Sequence, residues 1–200
     1  MISMEHAIDR LQRFAVKLYL DPRSTLAPRG CIEIFHRWIQ ERAVPGLLID
    51  VADYTHLTGG PRVVLVAHEG NYALDDADGR LGLSYTRKQP LEGTLPERLA
   101  EAAGILLGAA ERLERDTSDL ADGRAVFLGA EMAVVANDRR AAPRTADAEA
   151  ALRDAVVVLG ARLFGEAAAD VRSLAESDLL GCVIGTVKPL SLADLTSRVA

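Results

Sequence analysis

Three β-rich runs follow one another in the first half of the chain, with a turn-forming sequence between each run and the next. Residues 47–54 and 62–69 flank Thr58-Gly59-Gly60-Pro61, a sequence typical of a hairpin turn. A second turn sequence, residues 75–79, precedes residues 80–86, in which apolar and polar residues alternate. We expect the three runs to form an antiparallel meander.

A strand and a helix are predicted before the meander. Residues 14–20 have a period of two, which turns Phe14, Val16, Leu18 and Leu20 inward. Residues 31–42 place Ile32, Phe35 and Ile39 at helical spacing, and Pro45-Gly46 ends the helix. We expect Trp38 at the edge of this helix and His36 half exposed.

The second half of the chain alternates helices with strand pairs. Thr94 and Glu97 have the spacing of a capping box and begin a helix to about residue 115. Two strands, 124–128 and 131–136, are predicted on either side of Gly129. A helix from Thr145 to Gly165, strands at 171–175 and 179–187, and a short helix capped by Ser191 complete the chain.

This order predicts an α+β fold, with one or more antiparallel sheets built from hairpins and helices packed on one face. Residues 1–200 are long enough for one domain, and 49% hydrophobic residues supply a core. The polar loop from Asp116 to Gly123 leaves open a division into two subdomains, 1–116 and 123–200, that share a core.

Composition excludes several classes of protein. A net charge of -6 argues against a nucleic-acid-binding surface, and no apolar run approaches the roughly 18 residues of a membrane-spanning helix. Cys31 and Cys182 lie far apart in apolar contexts, which predicts buried thiols rather than a disulfide or a zinc site. With no signal peptide at the N-terminus, we expect a cytoplasmic protein. The 20 arginines against 3 lysines favour a bacterial source.

No cofactor is expected, because the sequence lacks the motifs G-x-G-x-x-G, G-x-S-x-G and H-E-x-x-H and a Walker lysine loop. A metal site built from His56, His68, Asp50 and Asp53 is disfavoured, since residues three or six apart on one strand converge poorly. The run 75–79 resembles a calcium loop but lacks the distal glutamate, so we interpret it as a hairpin turn.

One catalytic pair follows from the predicted hairpins. A turn centred on Gly59 sets Asp50 opposite His68, where a carboxylate can orient an imidazole as a general base. A second hairpin centred between Ala77 and Asp78 sets Arg87 opposite His68, where it can hold an anionic group. A slip of one residue would move these side chains to opposite faces.

A second anion-binding candidate is the basic run 137–144. Arg139 and Arg140 lie just before a predicted helix N-terminus, where side chains and free amides can bind phosphate or carboxylate.

Two functions are compatible with these patterns. The preferred one is a non-catalytic module that binds a partner protein or a second copy of itself, because no catalytic motif is complete and the predicted helix faces are lined with small residues. The alternative is a small enzyme or an anion-binding protein that uses Asp50, His68 and Arg87 on the sheet.

Overall fold

The computed structural model describes residues 7–120, 122–165, 168–174 and 178–199. These residues form eight β-strands, four α-helices and two short 3-10 turns at Ala7–Arg10 and Pro28–Gly30. The strands are β1 (Phe14–Leu20), β2 (Leu48–Asp53), β3 (Pro61–Ala67), β4 (Gly70–Asp75), β5 (Gly82–Arg87), β6 (Phe127–Ala136), β7 (Ala168–Ser173) and β8 (Gly181–Thr186). The helices are α1 (Cys31–Glu41), α2 (Leu95–Asp116), α3 (Ala146–Phe164) and α4 (Leu192–Val199).

All eight strands form one antiparallel sheet in the order β2-β3-β4-β5-β1-β6-β8-β7. The α+β prediction is therefore confirmed. The first strand of the chain lies in the interior of the sheet, between β5 and β6, and joins the N-terminal meander to the C-terminal strands. The main core cluster contains residues from both parts of the chain. The division into two subdomains stays a prediction.

The helices pack on one face of the sheet, as the alternation along β1 shows. Phe14, Val16 and Leu18 are buried in the main core with α2, while Lys17 and Tyr19 point to the other side, which we call the open face. The register places one residue of every strand in a single row across the open face. The row runs Ala52, Val64, Ala73, Ser84, Lys17, Ala133, Val183 and Arg172.

The predicted helix ends are confirmed. Thr94 donates its N–H to Glu97 Oε2 over 2.7 Å at the start of α2, which completes the capping box. Thr145 accepts from the N–H of Ala148 at the start of α3, and Ser191 accepts from the N–H of Asp194 at the start of α4. The helical spacing of apolar residues predicts an inner stripe on each long helix, and both stripes are buried: Leu99, Ala103, Leu106, Ala110 and Leu113 on α2, and Ala148, Leu152, Ala155, Leu159 and Leu163 on α3. Within the described ranges, no helix is long and apolar enough to cross a membrane.

Two strand predictions were wrong. Residues 70–75 form an additional strand, β4, joined to β3 by the two-residue turn His68-Glu69, so the meander has four strands. The strands predicted on either side of Gly129 are a single strand, β6. Gly129 does not interrupt it; instead the residue allows the backbone at Leu190 to approach, because a Cβ there would lie 1.8 Å from the Leu190 carbonyl oxygen.

The buried face of α1 is also rotated relative to the prediction. Ile34, Phe35 and Trp38 are buried, while Ile32 and Ile39 are only partly covered and His36 is exposed. Trp38 is completely buried rather than placed at the helix edge, and its Nε1 donates to Asp116 Oδ2 over 2.7 Å. A buried hydrogen-bond partner for the indole on α2 explains why the tryptophan turns inward.

Candidate functional site

The predicted contact between Asp50 and His68 is not formed. The structure pairs Asp50 with Val66, and the N–H of His68 donates to the carbonyl oxygen of Leu47 over 2.9 Å. The pairs from Asp53–Val63 to Asp50–Val66 centre the hairpin on Thr58 rather than Gly59, and a bulge follows between Leu48 and Asp50. The predicted pairing is therefore wrong. The catalytic roles of Asp50 and His68 were inferred from that contact, and they stay a prediction.

Asp50 has a different partner in the structure. Its side chain is exposed, and Oδ1 accepts the N–H of the next residue, Val51, over 2.8 Å. Tyr54 donates its N–H to the carbonyl oxygen of Arg62 on β3. Successive N–H groups along an antiparallel strand point to opposite sides, so the N–H of Val51, three residues earlier, points away from β3. Asp50 thus covers a backbone donor at the edge of the sheet.

Arg87 is paired with Gly70, not with His68 as predicted, because the turn between β4 and β5 is centred between Asp78 and Gly79, one residue later than expected. Its guanidinium is buried within its own segment of chain. It donates to the carbonyl oxygen of Gln89 over 2.7 Å and to the hydroxyl of Tyr85 over 3.2 Å. The side chain therefore fixes the turn after β5 rather than facing a ligand.

Arg139 and Arg140 lie in the loop between β6 and α3, and both side chains are exposed. Asp138 organises this loop, since its Oδ1 accepts the N–H groups of Arg140 and Ala141 over 2.9 and 3.2 Å. These backbone hydrogen bonds lower the pKa of Asp138. Anion binding by the two arginines stays a prediction.

Histidine, cysteine and carboxylate side chains do not converge on a metal-sized position anywhere in the part of the chain that the structure describes. Both cysteines are buried free thiols, and burial raises the pKa of Cys31 to about 12. Neither thiol is therefore in the form that attacks substrates or binds metals near neutral pH.

Two large apolar side chains are exposed at the start of β2, which is an edge strand of the sheet. Leu47 is 65% exposed and Ile49 is 57% exposed. Leu47 lines a groove of about 590 Å³ between the end of α1 and the start of β2, and Ile49 follows two residues later on the strand. We call this surface the β2 patch; its groove is lined by Ile39, Arg42, Gly46, Leu47 and Leu48.

Charges of both signs surround the β2 patch. Arg42 caps the end of α1 in the left-handed conformation with φ 52°, is exposed, and forms no ion pair with any residue in the described ranges. On the strand side, Asp50 is exposed and Glu69 Oε2 accepts the N–H of Leu47 over 2.8 Å. The rim is thus basic on the helix side and acidic on the strand side.

A second cluster of functional groups lies at the centre of the open face. Lys17 Nζ is within 2.5 Å of Asp78 Oδ1 and 3.3 Å of Asp75 Oδ1, and its side chain is only 8% exposed. The Tyr19 hydroxyl donates to Asp78 Oδ2 over 2.6 Å, and the Arg80 guanidinium lies 3.7 Å from the centre of the Tyr19 ring. We call these residues and their ionic neighbours the Lys17 cluster.

Glu131 extends the Lys17 cluster toward the C-terminal strands. Its Oε2 accepts from Arg80 over 2.6 Å and its Oε1 accepts from Arg172 over 2.8 Å. The cluster therefore balances three cations against three carboxylates. Its charged members are Lys17, Arg80, Arg172, Asp75, Asp78 and Glu131.

The pKa values within the cluster reflect burial and hydrogen bonding. Burial alone raises the pKa of Asp78, but hydrogen bonds from Lys17 and Tyr19 outweigh it, and the net shift is downward. Glu131 behaves in the same way, with Arg80 and Arg172 lowering its pKa against the effect of burial. Burial, followed by the hydrogen bond to Asp78, raises the pKa of Tyr19 well above its ordinary range.

A smaller cavity, of about 310 Å³, lies at the start of α3. Ser173 on its wall donates its hydroxyl to Glu149 Oε1 over 2.6 Å, and Arg153 donates to Ser173 over 3.3 Å. These contacts connect α3 to β7. Arg144 also lines the cavity.

The sequence contained signals for both surfaces that pattern reasoning missed. Lys17 is the one charged residue in the strand run 14–20 and faces away from the predicted apolar side, which marks a polar site on the opposite face. The run Leu47-Leu48-Ile49 breaks the period-two alternation of a half-buried strand, so it cannot bury all three side chains. No known protein family, curated protein or solved structure matches this chain.

Proposed function

We propose that this protein is a self-associating interaction module whose contact surface is the β2 patch. The observation that carries the proposal is the exposure of two large apolar side chains, Leu47 and Ile49, beside a groove of about 590 Å³. A contiguous apolar surface rimmed by charges is typical of a protein interface.

The shape of the β2 patch favours a second copy as the occupant. It offers protruding side chains, Leu47 and Ile49, directly beside a recess lined by Ile39 and Leu48. In a two-fold contact the same surface of both copies meets itself, so the protruding side chains of each copy enter the recess of the other. The rim is complementary to itself in charge, since a two-fold axis sets Arg42 of one copy toward the acidic strand side of its partner.

The contact is expected to use side chains rather than to extend the sheet. Asp50 covers the outward N–H of Val51, and the bulge at Leu48 interrupts the edge. Both features are ways in which proteins prevent unplanned strand pairing. The proposal includes a bacterial cytoplasm as the setting, supported by the arginine-rich composition and the free cysteines.

The test is the mass of the purified protein in solution. We expect the wild type to sediment as a dimer at micromolar concentration. Leu47→Asp and Ile49→Asp should each dissociate it. Burial of a leucine or isoleucine contributes about 1.5–3 kcal/mol and each side chain is buried twice, so the dissociation constant should rise at least about 100-fold.

Val187→Asp is the matched control. Val187 is 89% exposed and follows β8, six strands away from β2 in the sheet, so this variant should remain dimeric. A wild type that is monomeric up to 100-fold higher concentration, or a dimer that survives both patch substitutions, would contradict the proposal.

A further inference from the structure

The segment between β4 and β5, residues 76–81, crosses the centre of the open face, and we call it the strap. Asp78 of the strap binds two donors on β1, with Oδ1 at 2.5 Å from Lys17 Nζ and Oδ2 at 2.6 Å from the Tyr19 hydroxyl. Lys17 also donates to the carbonyl oxygen of Arg80 over 2.7 Å. The strap therefore covers the two polar side chains that β1 presents on this face.

The tip of the strap is held by the polar contacts of Asp78 and Arg80 with β1, and its other residues are not packed against the sheet. Ala77 and Gly79 are exposed, and a Cβ added to Gly79 would meet no atom within 4 Å. The ends of the strap are anchored separately. Asp76 accepts the N–H groups of Gly59 and Gly60, and Leu81 packs against the main core. Residues 77–80 can therefore lift without exposing the main core, and what they uncover is Lys17 and the ring of Tyr19, over which Arg80 lies.

The floor beneath the strap is rigid by comparison. Lys17 and Tyr19 belong to β1, which has hydrogen-bonded neighbours on both sides. Lys17 is 8% exposed, and a buried ammonium without a nearby anion is strongly destabilising. Removal of Asp78 leaves Asp75 as its one remaining carboxylate in the described structure, at 3.3 Å.

We propose that Asp78 is the internal occupant of an anion-binding site formed by Lys17 and Tyr19, and that a small ligand carrying a carboxylate or phosphate takes its place when the strap lifts. An ammonium and a phenol side by side donate to two oxygens of one anionic group, and carboxylates and phosphates both supply such a pair. The strap is then an autoinhibitory contact. This site is on a different surface from the β2 patch and does not depend on self-association.

The test removes the internal carboxylate and supplies one from solution. Asp78→Ala should bind inorganic phosphate or acetate at least tenfold more tightly than the wild type, measured by calorimetric titration at constant ionic strength. The double variant Asp78→Ala with Lys17→Met should lose this binding. Asp53→Ala is the control, because it removes one carboxylate that binds Thr55 and lies on β2, four strands away from β1 in the sheet, and it should bind as the wild type does.

Two further results decide the proposal. Amide hydrogen exchange at residues 77–80 should be faster in Asp78→Ala than in the wild type, and an unchanged rate would overturn the role of Asp78 as the latch. Equal binding of phosphate or acetate by the wild type, by Asp78→Ala and by the double variant would overturn the proposal that Lys17 and Tyr19 form an anion-binding site. The tighter of the two anions identifies the ligand group. If Asp78→Ala does not fold, Asp78→Asn provides the same comparison, because it keeps an acceptor for Tyr19 without the charge.

Discussion

At the scale of single residues, Asp50 has a different role from the one that its position in the sequence suggested. Sequence spacing suggested a carboxylate that orients a histidine. In the structure its carboxylate caps the outward N–H of Val51 on an edge strand. An unpaired donor on such an edge is a template for intermolecular strand pairing, so the residue protects the protein from uncontrolled assembly.

Asp50→Ala should therefore increase aggregation rather than abolish a catalytic activity. We expect faster formation of thioflavin-positive material on mild heating, because Val51 gains a free donor at the sheet edge. Asp53→Ala is the matched control, since it removes the same charge from the same strand while its carboxylate binds only the loop residue Thr55. Equal aggregation by both variants would show that charge, and not the covered N–H, is responsible.

The limits of prediction at the candidate site are set by register. A hairpin between β2 and β3 was predicted correctly, but its turn is centred on Thr58 rather than Gly59, which sets Asp50 opposite Val66 instead of His68. The length of a hairpin loop fixes the register of its strands, and the turn sequence Thr58-Gly59-Gly60-Pro61 did not specify that length. The Lys17 cluster was missed because its members come from β1, β4, the strap, β6 and β7, which only the sheet order brings together.

At the scale of elements, local chemistry predicted helices better than it predicted strands. The caps at Thr94, Thr145 and Ser191 are short-range interactions, and all three helices begin where expected. The exceptions depended on tertiary partners. Trp38 turned inward to reach Asp116 on α2, and Gly129 proved to be a close-approach residue inside a strand rather than a turn.

Two glycines test this distinction between local and tertiary requirements. Gly129→Ala should destabilise the protein severely, because its Cβ would clash with the Leu190 carbonyl at 1.8 Å. Gly108→Ala, on the exposed side of α2 with open space around it, should stabilise the protein by about 0.5–1 kcal/mol. Denaturant unfolding of both variants measures the difference, and similar effects of the two substitutions would refute the close approach of Leu190.

At the scale of the whole molecule, the Lys17 cluster couples stability to pH. The pKa values of Asp78 and Glu131 are lower in the fold than their ordinary values of 3.8 and 4.5. The stabilisation from such groups is complete above the ordinary values and disappears as the pH falls through the lowered ones. The cluster bridges β1, β6 and β7, so its protonation affects the sheet as a unit.

We therefore expect the melting temperature to be nearly constant above a pH of about 5 and to fall below about 4. In a variant carrying both Asp78→Asn and Glu131→Gln, the decline should be shallower, because neither replacement side chain titrates. Thermal melts followed by the fluorescence of Trp38, the single tryptophan, measure both profiles. A double variant as acid-sensitive as the wild type would assign the pH dependence to other carboxylates.

The interior position of β1 has a consequence for how the chain is made. β1 leaves the ribosome before both of its neighbours in the sheet, since β5 follows about 60 residues later and β6 follows more than 100 residues later. The nascent chain must keep an apolar strand unpaired until its neighbours are synthesised, and pairing of such distant segments is slow. We expect this strand to be the segment that molecular chaperones bind during translation, and late pairing with β6 to set the rate at which the full sheet closes.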